Sequence, residues 1–186
     1  MNQNTELNIF QKIFTENWHE QFIFDTIHSN ILTYKNFFEL VITIKNNLEK
    51  RNIKEDDYIC CILNNSIELI ALFFASALLK ITLICIDPSR GSDEILKMTK
   101  IQKSKFYFVD EKNQNFGIPK TELFSNIFQK NNNLNITISD LKLFDHIDFE
   151  RLFTITFTSG TTGIPKGVMH NLNNYLKSSL LFNKRF

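Results

Sequence analysis

Ten consecutive residues, Thr158-Ser159-Gly160-Thr161-Thr162-Gly163-Ile164-Pro165-Lys166-Gly167, combine short hydroxyls, glycines and one lysine. The 186-residue chain has only five glycines, and three fall in this stretch, so the concentration calls for a cause. A polyphosphate needs many donors and little steric bulk. Gly160 and Gly163 let the backbone turn sharply and present its N–H groups. Thr158, Ser159, Thr161 and Thr162 add hydroxyl donors, and Lys166 adds a compact charge on a flexible stem. Pro165 stiffens the approach to Lys166. The combination suits gripping phosphate oxygens and neutralising a departing pyrophosphate. One lysine cannot balance that charge alone, so Mg2+ is expected as a partner. A Walker A loop is excluded by spacing, because that motif has Gly before its lysine and Ser/Thr after it. Here Pro165 precedes Lys166 and Gly167 follows. The competing reading is a plain Gly/Ser/Thr turn between two strands.

The loop must be held by what precedes it, and Phe153 to Thr158 reads as a strand. Further back, Leu7, Phe10, Ile13 and Phe14 follow helical spacing over about residues 7–17. Phe22-Ile23-Phe24 and Ile31-Leu32 flank residues 25–30 as a small antiparallel hairpin, and Thr33 is placed to cap the next helix. Phe37, Phe38, Val41, Ile44 and Leu48 form one helical face running to about Arg51. A loop at 54–57, a strand at 58–63, and a helix from a capping pair at Asn65 and Glu68 to Leu79 follow. Next come a strand at 82–86, a helix near 92–103 and a strand at 106–109. Between 110 and 150 the pattern predicts a short helix at 123–129, a turn at Asn131–Asn133 and a small strand at 136–138. Continuous apolar strands separated by helices predict an α/β fold, a mostly parallel sheet with helices on both faces.

Composition fits one globular unit: 43% of residues are apolar and 22% charged. The net charge of +1, with no basic stripe, argues against nucleic acid as a partner. Cys60, Cys61 and Cys85 sit in strand-like runs, which suits reduced buried thiols, and no Cys/His spacing points to a metal. The apolar run 67–86 contains Glu68 and Lys80 and changes character partway, so it reads as a buried helix and strand rather than a membrane span. Met1 to Glu6 lacks the pattern of a signal peptide, and the expected location is cytoplasmic.

Thr158 to Gly167 resembles the signature of the AMP-binding, adenylate-forming superfamily, which reads Ser/Thr, Ser, Gly, two Ser/Thr, Gly, any residue, Pro, Lys, Gly. Every defined position matches. Upstream, Leu32-Thr33-Tyr34, the strand-plus-helix unit from Asp57 to Ala77 and the turn Ile86-Asp87-Pro88-Ser89 look similar too. Lys80 stands where many members have glycine, and Cys85 where proline is common. After the loop, Val168-Met169-His170 and Tyr175-Leu176 look like the short-chain acyl-CoA synthetases. His170 is read either as facing the acyl pocket or as structural at the start of a helix that follows the loop.

The resemblance implies a two-step reaction. A carboxylate attacks the α-phosphorus of ATP, releasing pyrophosphate, and a thiol then displaces AMP. It implies ATP and Mg2+ as cofactors, with coenzyme A or a carrier-protein thiol as acceptor and a carboxylic acid as substrate. Thr158, Ser159, Gly160, Thr161, Thr162, Gly163, Lys166 and Gly167 become the nucleotide-binding residues, with Lys166 also in a catalytic role. Members of the family are longer, with a magnesium-holding glutamate, a ribose-binding aspartate and a C-terminal lysine domain absent from these 186 residues. The chain is therefore expected to be a partial AMP-binding N-terminal domain over 1–186, inactive as a ligase alone and aggregation-prone, with an open strand edge near the loop. Alternatives are a non-catalytic phosphate-binding half-domain that needs a complementing chain, and part of a carrier-protein-loading adenylation domain.

Overall fold

The computed structural model describes residues 3–26, 30–111, 117–118, 120–129, 134–158 and 165–183. The chain divides into two compact units. One comprises Met1–Asn52, Asn65–Leu79 and Ile127–Ile147. The other comprises Ile53–Asn64, Lys80–Asn126 and Asp148–Phe186.

The first unit holds helix α1 (Gln3–Glu16), the antiparallel pair β1 (Gln21–Asp25) and β2 (Asn30–Thr33), helix α2 (Tyr34–Lys50) and helix α3 (Ile67–Leu79). It also holds a 3-10 helix at Ile138–His146. Its core explains much of the phenylalanine content. Phe14 lies within 5.1 Å of Tyr34 and 5.3 Å of Phe144 between ring centroids, and Phe37 meets Phe74 edge-on at 5.3 Å. Such tilted and edge-to-face pairs are the favoured aromatic arrangements. The Thr33 hydroxyl accepts from the Asn36 N–H at 3.1 Å, so the expected N-cap of α2 forms, and Phe37, Phe38, Val41, Ile44 and Leu48 are all buried.

Two sequence expectations fail here. Helix α3 is capped one residue later than Asn65: the Ser66 hydroxyl accepts from the Leu69 N–H at 3.1 Å. The strand expected at 136–138 is absent. Its β-branched residues mimic a strand, but Thr137 and Asp140 form a reciprocal capping box that starts the 3-10 helix instead. The predicted turn at Asn131–Asn133 lies outside the described residues.

The second unit is built on a six-stranded sheet. Its strands are β3 (Tyr58–Ile62), β4 (Thr82–Ile86), β5 (Phe106–Val109), β6 (Thr121–Leu123), β7 (Leu152–Thr158) and β8 (Lys166–Asn171), in the order β6-β5-β3-β4-β7-β8. All neighbours are parallel except β7 and β8, which are antiparallel. The α/β class with a mostly parallel sheet is therefore correct. Helix α4 (Ser92–Ile101) sets Ile95 and Met98 into a core with Cys60, Ile62, Ile84, Ile86, Tyr107, Val109, Ile155 and Phe157. Helix α5 (Leu172–Asn183) follows β8. Strand β6 was not expected; it precedes a 3-10 turn at Phe124–Ile127, within the span read as a short helix.

The apolar run 67–86 is α3 followed by β4, as expected. Among the described residues, no helix is long and apolar enough to cross a membrane.

Candidate functional site

Strand β7 lies between β4 and the edge strand β8 and ends at Thr158; β8 begins at Lys166 and returns alongside it. The register pairs Thr158 with Lys166 and Phe157 with Gly167, so the stretch rich in Ser, Thr and Gly connects an antiparallel pair. The Thr158 hydroxyl donates to the Lys166 carbonyl at 3.4 Å. Ser159, Gly160, Thr161, Thr162 and Gly163 lie outside the described residues. Pro165 is buried and Lys166 exposed.

The sequence reading placed a helix directly after the loop, with His170 at its start. Six residues of strand, Lys166–Asn171, intervene instead. Pairing with the strongly strand-forming β7 overrides the local signal. His170 therefore sits in β8 opposite Thr154, its Nε2 3.5 Å from the Thr156 hydroxyl oxygen.

Gly167 earns its place by packing. A Cβ built there would meet Ile155 Cγ2 at 3.0 Å and Phe157 Cε1 at 3.6 Å, both side chains of the sheet core. The close approach of β8 to β7 thus favours glycine directly beside Lys166.

Helix α5 is pinned by polar contacts that sequence reading missed. Asn171 and Asn174 cap its start reciprocally: the Asn171 N–H donates to Asn174 Oδ1 at 2.9 Å, and the Asn174 N–H to Asn171 Oδ1 at 2.8 Å. The pair of asparagines three apart was the available signal. Buried Asn173 donates from its backbone N–H to the Phe149 carbonyl at 3.1 Å and from its amide to the Glu150 carboxylate. Tyr175 then shares a 2.7 Å hydrogen bond with the fully buried Thr154 hydroxyl and stacks edge-on against Phe153. Partial burial raises the Tyr175 phenol above its usual range, so it stays protonated near neutrality.

On the other flank, the turn after β4 reaches the base of the loop. Asp87 accepts from the Ser89 N–H at 2.8 Å, and hydrogen bonding from the Ser89 side chain together with that backbone bond holds its carboxyl below the ordinary carboxylate range. Arg90 is ion-paired with Glu94 and donates from Nη2 to the Phe157 carbonyl at 3.3 Å. Sequence reading did not single out Arg90, because nothing local shows that its turn meets the end of β7.

All three cysteines are free. Burial pushes the Cys85 thiol up to about 12 and raises Cys60 and Cys61 well above the usual thiol range, so none is a nucleophile at neutral pH. Among the described residues, no three His, Cys, Asp or Glu side chains group to hold a metal. The donor chemistry of the loop sequence, hydroxyls and one ammonium, fits phosphate oxygens.

The chain matches the model of the AMP-binding enzyme family over residues 15–185. It is 26% identical over 132 residues to a 2-succinylbenzoate–CoA ligase of Haemophilus influenzae, covering 71% of this chain and 25% of that protein. It is 24% identical over 155 residues to the ligase of the same name from Geobacillus kaustophilus, covering 80% and 29%. Among solved structures, O-succinylbenzoate coenzyme A synthetase from Bacillus subtilis in complex with ATP and magnesium ion superposes with a TM-score of 0.71 at 17% identity, covering 91% of this chain and 44% of that one. The chain thus spans about a quarter of the length of the curated relatives it matches.

Proposed function

This chain belongs to the AMP-binding enzyme family, and from that premise we propose that it is the ATP-phosphate-holding part of an acid–thiol ligase, a partial N-terminal domain over residues 1–186. The observation that carries the proposal is the pairing of Thr158 with Lys166 at the two ends of the loop sequence. That pairing sets an exposed ammonium across from a hydroxyl at the mouth of a stretch rich in Ser, Thr and Gly.

In the proposed first step, a carboxylate oxygen attacks the α-phosphorus of ATP. The bond to the bridging oxygen breaks, leaving acyl-adenylate and pyrophosphate. Thr158, Ser159, Gly160, Thr161, Thr162, Gly163 and Lys166 hold the β- and γ-phosphates in line, while Lys166 offsets the charge that builds on the leaving pyrophosphate. Gly167 supports Lys166 through its packing. Magnesium, when bound with ATP, supplies the remaining charge neutralisation. In the second step a thiol, that of coenzyme A or a carrier protein, displaces AMP. The location we propose is the cytoplasm.

The test is carboxylate-dependent release of pyrophosphate from ATP by a full-length protein that carries this chain, because the 186 residues are expected to be inactive alone. Because the curated relatives are ligases of 2-succinylbenzoate, that acid is the first to try, followed by a panel of short aliphatic and aromatic acids. Acid-dependent release that Lys166→Ala slows, with acid affinity kept, supports the ligase reading. Equal loss of rate and acid affinity contradicts the role given to Lys166. A second reading has the chain bind ATP but need a complementing polypeptide for chemistry, and the partial coverage of its relatives favours testing it alongside. MgATP binding by this chain, with acid-dependent release only when a separate polypeptide is added, distinguishes it.

A further inference from the structure

We propose that Arg90 is a positioning residue for the phosphate loop, bracing the last residue of β7 before that loop; this rests on the reading of 158–167 as an ATP-phosphate site. The parallel ladder between β4 and β7 ends at the pair Cys85–Thr156. Phe157 is the first residue past it, and Thr158 follows directly. On one side both residues are paired by β8, with Gly167 and Lys166. On the other side the ladder with β4 has ended, and the Phe157 carbonyl accepts from Arg90 Nη2 at 3.3 Å, across 67 positions of sequence.

Arg90 is itself held from two directions. The turn that carries it is closed by the Ser89 N–H donating to the Asp87 carboxylate at 2.8 Å and the Arg90 N–H donating to the Asp87 carbonyl at 3.3 Å. Its guanidinium pairs with Glu94 in the first turn of α4, next to Ile95, which is anchored in the sheet core. The planar fork engages both acceptors at once, a geometry a lysine cannot reproduce. An i,i+4 ion pair alone is worth little. The bond to a strand-end carbonyl in a distant part of the sequence is what gives this one a task. The brace fixes where the chain leaves the sheet at Phe157, and so the position of Thr158 at the start of the loop sequence.

Titration calorimetry on the whole chain, with MgATP and AMP as ligands, tests this. Arg90→Gln is expected to weaken MgATP about ten-fold, the scale of one lost charge-assisted hydrogen bond. AMP, which lacks the β- and γ-phosphates, should bind unchanged. Arg90→Lys should recover part of the loss. Glu94→Gln keeps the Phe157 bond and should leave MgATP within about two-fold. Thermal melts establish that each variant is folded, and if Arg90→Gln does not fold, the other two variants carry the comparison. MgATP binding that is unaffected by Arg90→Gln and Arg90→Lys overturns the brace alone. Equal weakening of MgATP and AMP also overturns it, since that is general damage. Failure of the unsubstituted chain to bind MgATP overturns the reading of the loop, and the brace with it.

Discussion

Replacing Gly167 by alanine separates packing from phosphate binding at one residue. The added Cβ would stand 3.0 Å from Ile155 Cγ2, a contact the sheet core must relieve by shifting a buried side chain. Overpacking of this kind costs about 1–3 kcal/mol. The backbone at Gly167 is ordinary strand, so alanine brings no torsional strain, and it lowers the entropy of the unfolded chain by roughly 0.5–1 kcal/mol. The net expectation is a loss of roughly 0.5–2 kcal/mol. At this length that is a fall in Tm of about 2–6 °C. Urea denaturation at constant m-value measures it. The decisive control is the cycle with Ile155→Ala, which removes the atom the new methyl meets. In that background Gly167→Ala should cost little or nothing, whereas strictly additive costs refute the contact. MgATP affinity of Gly167→Ala should stay within about three-fold of the original. A fully stable Gly167→Ala that has lost MgATP would show that the glycine serves the nucleotide directly.

Other consequences can be measured on the same protein. Lys80 holds φ at +55°, left-handed backbone that an L side chain adopts at a cost of about 1–2 kcal/mol; Lys80→Gly should raise stability by roughly 0.5–1 kcal/mol while Lys80→Ala does not, and a destabilised glycine variant would contradict the strain. The raised cysteine pKa values mean that the native state keeps its thiol protons after the unfolded chain has begun to lose them, so their contribution is complete below about pH 8.5 and declines as pH rises toward about 12 for Cys85. A thiol reagent at pH 8 should accordingly find no reactive cysteine until the chain unfolds, and rapid native labelling would refute the burial. Met169 is 68% exposed on edge strand β8; Met169→Lys should suppress self-association seen by light scattering, and unchanged aggregation would place the sticky surface elsewhere.

The fold was legible where apolar periodicity and capping chemistry agreed. The face of α2 with its Thr33 cap, the continuous runs of β3 and β4, and the hairpin of β1 and β2 are of this kind. The reading failed where two local signals competed or where tertiary pairing decided. Ile136-Thr137-Ile138 carries strand-type side chains, yet the Thr137–Asp140 box wins. Residues 166–171 are too mixed in character to announce a strand, and pairing with β7 makes them one. For the candidate site, the loop residues were named by type and order alone. The packing task of Gly167 and the reach of Arg90 to Phe157 were hidden, because each depends on a neighbour brought close by the sheet. Lys80 is an intermediate case: its departure from glycine was visible in sequence, and the positive φ supplies the physical reason glycine suits that position.

The most direct test of the central claim, that Thr158 to Lys166 holds the β- and γ-phosphates of ATP, is calorimetric titration of MgATP and AMP into the chain and its Lys166→Ala variant. The account predicts that MgATP binds more tightly than AMP, and that Lys166→Ala erases most of that difference while leaving AMP affinity unchanged. Equal affinity for the two nucleotides, or a difference that survives Lys166→Ala, would contradict it.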